Sequence, residues 1–107
     1  MVRKALVAAL IAWAVAGGGA DAEENVELGL TMGEVVGSEQ ICGYTIDQKK
    51  LEEFILDKVD ADDAEFSYRV ARGARLMPGD YERMSRSAKT THCVQMRRLV
   101  KTYGIDG

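Results

Sequence analysis

The densest chemistry in the chain is Asp57-Lys-Val-Asp60-Ala-Asp62-Asp63-Ala-Glu65, five carboxylates within nine residues. Hard cations such as calcium or a trivalent lanthanide take several oxygen ligands, preferably anionic, from a flexible loop. Carboxylates held this close repel one another, and a bound cation removes that cost. The spacing therefore predicts a metal site made by Asp60, Asp62, Asp63 and Glu65, with Asp57 as an outer ligand and a lanthanide or calcium ion as cofactor. It is not an EF-hand. Counting from Asp60, the sixth position is Glu65 where the motif needs glycine, and the twelfth is Ala71 where it needs a bidentate glutamate. A loop this short offers about four oxygens, fewer than such an ion takes. Water or a second copy would complete the shell, which predicts a metal-bridged homodimer or a transfer partner among metal-handling proteins. Helix capping is the competing reading. Acidic residues just before a helix are favoured by the macrodipole, and this accounts for two or three of the five.

The other reactive side chains are sparse. His92 is the only histidine and sits beside Cys93. Neither a serine nor a free thiol has an evident base and orienting group, so a nucleophilic triad is unsupported and no enzyme is expected. Arg97-Arg98-Leu-Val-Lys101 reads as a solvated helix face, or as a partner for the acidic loop. Tyr44, Tyr68, Tyr81 and Tyr103 fit a core or an interface better than a cofactor pocket.

These groups need a scaffold, and the N-terminus indicates where it works. Arg3 and Lys4 precede an apolar run from Ala5 to Ala16. Three glycines and Ala20-Asp21-Ala22 follow, the layout of a signal peptide over residues 1–22. The run is too short to span a bilayer, and no second one exists. Export to a periplasm is the expectation. The mature chain would hold 85 residues in one domain. A core that small is often stapled covalently. Cys42 and Cys93 are the only cysteines, and in an exported chain they are expected to pair. Closing that loop is worth about 4 kcal/mol in a chain-entropy account.

The periodicity predicts an all-α fold, a small three- to four-helix bundle over residues 31–107, after a flexible acidic arm at 23–30. Thr31 and Glu34 match a capping box opening a first helix, which Gly37 weakens and Gly43 stops. Thr45 or Asp47 opens a second helix, with Leu51, Phe54, Ile55 and Val59 on its apolar side. Asp62 with Glu65 makes another capping box, and Phe66, Val70, Ala74 and Met77 form the third stripe. Pro78-Gly79 predicts a break. Asp80 would cap a last helix, carrying Met96, Leu99, Val100 and Tyr103 and ended by Gly104. Strand signals are absent.

Charge divides along the mature chain. Residues 23–65 carry a net −10 and residues 66–107 a net +6. The two halves are expected to attract each other in the fold. A nucleic-acid surface is not expected on an acidic exported protein. The order of signal peptide, Glu39-Gln-Ile-Cys42-Gly-Tyr44, an amphipathic helix over Leu51–Ile55 and a late Thr91-His92-Cys93 resembles small single-disulfide helical periplasmic proteins of alphaproteobacteria. Within that group the acidic loop resembles that of landiscernin-like lanthanide-binding proteins, which implies metal trafficking. The architecture also resembles periplasmic acid-stress chaperones, which implies a holdase released when carboxylates protonate. An adaptor or inhibitor working through a helix face is the remaining alternative.

Overall fold

The computed structural model describes residues 19–107, with side chains from residue 25 onward. Of the expected signal segment 1–22, residues 1–18 lie outside the described residues, and residues 19–22 form the start of α1. The fold is all-helical, as the periodicity predicts. Five helices lie among the described residues: α1 Gly19–Gly37, α2 Glu39–Cys42, α3 Gln48–Lys58, α4 Phe66–Glu82 and α5 Arg86–Thr102.

Residues 23–30, expected as a loose arm, belong to α1, and Thr31 lies inside that helix rather than capping it. The reason is a glycine stripe. Gly29, Gly33 and Gly37 recur every four residues and so share one face. A Cβ placed on Gly33 would stand 3.0 Å from the Gly73 Cα, and one on Gly37 would stand 2.8 Å from the Ala74 Cα. Gly29 faces Phe66 and Arg69, so the two helices ascend together, and α1 packs chiefly on α4. Each glycine costs a helix about 1 kcal/mol against alanine. The close approach offsets this by seating Met32 and Val35 without any solvent exposure.

The predicted break at Pro78 is absent, and α4 continues through it to Glu82. Proline removes one i→i−4 bond, but its ring here stands on the exposed side of the last turns. Asp80 does not cap the next helix and instead receives Arg83 Nη2 at 2.6 Å. Ser85 caps α5, its Oγ accepting from the Ala88 N–H.

The core joins Met32 and Val35 of α1 to Phe66 of α4 and to Met96 and Val100 of α5. The last residues complete it. Gly104 takes φ 67°, a left-handed turn that glycine adopts without strain, and sends the fully buried Ile105 inward. The tail then bridges back to the α2–α3 connection. The Asp47 N–H donates to the Ile105 carbonyl, and the Gly107 N–H donates to the Thr45 carbonyl. Cys42 and Cys93 form the expected disulfide, tying the end of α2 to the middle of α5. Among the described residues no helix is long and apolar enough to cross a membrane.

Candidate functional site

The acidic loop lies between α3 and α4, and its carboxylates have different employments. Asp63 faces inward. Arg69 Nη2 stands 3.3 and 3.1 Å from its two oxygens, and the Glu65 N–H donates to Oδ1. The pair is largely sheltered, with side-chain exposures of 18% for Arg69 and 15% for Asp63. Glu65 adds a longer approach to the same guanidinium at 3.7 Å. The capping box expected from Asp62 and Glu65 does not form. Glu65 occupies the N-cap without a side-chain bond, and Asp63 takes the role of turn acceptor. Asp57 lies beside Lys58 in the open. Asp60 and Asp62 are exposed and lend the turn only their backbone carbonyls. Among the described residues no three His, Cys, Asp or Glu side chains are grouped to hold a metal ion.

Because Arg69 Nε is also buried without a partner, Asp63 is the main counter-charge of a sheltered cation. Asp63→Asn is expected to cost about 2 kcal/mol, below the penalty of a fully buried pair because both side chains keep some solvent. Asp60→Asn should stay within about 0.5 kcal/mol, as for an ordinary surface change. Urea unfolding of the two variants compares them directly.

α3 is the helix that lies over the core without burying any residue fully. Leu51, Phe54, Ile55 and Val59 rest half-buried on the core cluster, and the Phe54 ring meets Tyr103 at 5.0 Å. One carboxylate fastens its N-terminal end and another the chain leading into it. At the N-terminal end Asp47 caps the helix, accepting from the Lys50 N–H at 2.9 Å, and Glu39 Oε2 accepts from the Ile46 N–H at 2.8 Å. Beyond the C-terminal end the Asp63–Arg69 pair joins the loop to the start of α4, with no hydrogen bond to α3. Lys50 Nζ also donates to the Asp106 carbonyl.

A second polar cluster lies under α2. Ser38 is completely buried, and its Oγ stands 2.8 Å from His92 Nε2. This settles His92 as a satisfied, half-buried group. Nearby, the Tyr44 hydroxyl donates to the Val35 carbonyl. Burial, aided by the charge of Glu39, pushes the Tyr44 phenol up from 10.0 to about 12, and burial raises Tyr103 as well. Above pH 10 the unfolded chain releases phenolic protons that the folded chain retains. Stability is therefore full below that point and falls as the pH rises toward about 12. Urea midpoints at about pH 9 and about pH 11 should show the decline, and Tyr44→Phe should reduce it. Neither Ser38 nor the Glu39 contact was foreseeable from periodicity, because both depend on chain reversals at residues 37–46.

The charge halves meet less than expected. Among the described residues Arg69 is the cation of the second half that pairs with carboxylates of the first, and Arg83 pairs within its own half. Arg72, Arg75, Arg86, Lys89, Arg97, Arg98 and Lys101 form no salt bridge with described side chains. No family model, no curated protein and no solved structure matches the chain.

Proposed function

We propose that this is an exported, non-enzymatic protein of the periplasm that binds unfolding clients under acid, with α3 as its releasable cover. The observation that carries this reading is the fastening of α3. The helix covers the core yet buries none of its residues fully, Asp47 and Glu39 hold its N-terminal end and the chain leading into it, and the Asp63–Arg69 pair holds the loop that follows it. Carboxyl groups as a class are largely protonated at about pH 3, and contacts of this kind weaken there. The chain then carries a net positive charge, and its cations repel one another. The cover then loosens and exposes Leu51, Phe54 and Ile55 together with the core residues they shield. The disulfide keeps α2 and α5 joined meanwhile, so the opened chain retains a compact frame. Light scattering of an acid-sensitive client tests the proposal. Aggregation should be suppressed at about pH 3 and not at neutral pH. Equal scattering with and without the protein at acid pH would refute it.

A hard-cation site is the second reading. Its support is that Asp60 and Asp62 are exposed and free of side-chain partners among the described residues, with Asp57 and Glu65 near them in sequence. It would serve lanthanide or calcium trafficking, and a second copy would supply the missing ligands. Titration with lanthanum, calcium and zinc decides it. Affinity for a large ion that Asp60→Asn with Asp62→Asn abolishes supports the site, and unchanged affinity removes it.

A further inference from the structure

We propose that the protein associates with itself, α3 of one copy seating in a basic groove on another copy without any metal. The groove, about 520 Å³, runs along one face of α5, where Arg86, Lys89, Thr90, Cys93, Val94 and Arg97 follow helical spacing. Ile41 and Tyr81 form its opposite wall. The apolar centre, with Val94 41% exposed, is thus flanked by three cations, none paired with a carboxylate among the described residues. Two of these cations are held in place. Lys89 Nζ stands 5.2 Å from the centre of the Tyr81 ring, and Arg97 Nη2 donates to the Cys42 carbonyl at 2.7 Å. Glu82 stands in the adjoining recess. An occupant must therefore present an apolar knob among carboxylates.

α3 presents that pattern outward. Leu56 is 75% exposed, more than any other large apolar side chain described. Glu52 and Glu53 precede it by one turn, Asp57 adjoins it, and Lys49 is the cation two turns before it. The lengths agree: the 11 residues of α3, and the span from Arg86 to Arg97, each cover about 16 Å. Leu56 would meet Val94, Ile41 and Tyr81, while Glu52, Glu53 and Asp57 meet Arg86, Lys89 and Arg97. Two copies that exchange α3 reciprocally close as a dimer, and one-way seating makes open chains. The knob lies on the outer side of α3, so the contact does not depend on opening of the cover.

Sedimentation velocity of the full protein tests this, with circular dichroism confirming that each variant folds. Concentration-dependent association is expected at low salt. It should disappear in about 1 M salt, where screening shortens to a few ångströms. Leu56→Asp should abolish it, and so should the double variant Arg86→Glu with Lys89→Glu. Mixing that double variant with Glu52→Lys plus Glu53→Lys should restore a mixed complex by pairing reversed charges. A monomer at every concentration in low salt overturns the proposal. Association that survives both the Leu56 and the groove variants also overturns it. A monomer whose Tyr81 signal responds to an added glutamate-rich peptide assigns the groove to another protein and overturns it as well.

Discussion

Gly37→Val is expected to destabilise the bundle sharply and lower its melting temperature. A Cβ at this position would stand 2.7 Å from the Met77 Cβ, 2.8 Å from the Ala74 Cα and 2.9 Å from the Ala74 carbonyl oxygen. Two of these are backbone atoms inside α4, so no rotamer change relieves the contact. The helices must separate, and Met32, Val35 and Met77 lose their packing together. Overpacking of a rigid core typically costs 1–3 kcal/mol, and a backbone-on-backbone collision should bring this to about 3 kcal/mol or more. Against the 5–15 kcal/mol of a typical domain that is a large share. Gly43 is the control: its left-handed φ of 74° disfavours substitution, yet nothing stands within 4 Å of its Cβ position. Gly43→Ala should therefore cost only about 1 kcal/mol, from backbone strain alone. Thermal melts of Gly37→Val, Gly43→Ala and the parent rank the two effects.

Reduction of Cys42–Cys93 should be comparably damaging. The bond joins residues 51 apart and fixes the short α2 against the middle of α5. Without it, the chain reversals through Ser38, Tyr44 and Ile46 lose their anchor, and with them the seat of α3. Removing a native disulfide from a small exported domain typically costs 2–5 kcal/mol. Urea titrations with and without a reductant should show the midpoint fall sharply. An unchanged midpoint would mean that the bond only decorates a core already sufficient by itself.

Apolar spacing made the helical class legible, along with the inward sides of Phe66, Val70 and Met77. The disulfide was legible because only one pairing existed. The same reasoning failed where tertiary contact overrides local preference. The segment before Thr31 read as loose because it is acidic and aperiodic, and glycines such as Gly29, Gly33 and Gly37 weaken a helix in isolation. Their value emerges only when Gly73 and Ala74 of a distant helix approach them. Pro78 read as a break, but a helix end packed on α1 tolerates one missing bond. Ile105 follows a glycine in a short polar tail and carries no periodic signal, yet it is fully buried. In the acidic loop, carboxylate density was visible but direction was not. Asp63 turns inward to Arg69, six residues on, while Asp60 and Asp62 remain outside.

Hydrogen exchange of the α3 amides as a function of pH tests the central claim most directly, because it reads release of the cover helix by helix. At neutral pH the N–H groups of Leu51 to Lys58 should be protected, though less than those of α1 and α5. At about pH 3, after correction for the intrinsic exchange rate, protection in α3 should collapse, while amides near Cys42 and Cys93 keep much of theirs. Asn at Asp47 and Gln at Glu39 should bring part of that loss to neutral pH. If α3 stays as protected at about pH 3 as at neutrality, or all helices lose protection together, the carboxylates do not fasten a releasable cover and the acid-responsive reading is wrong.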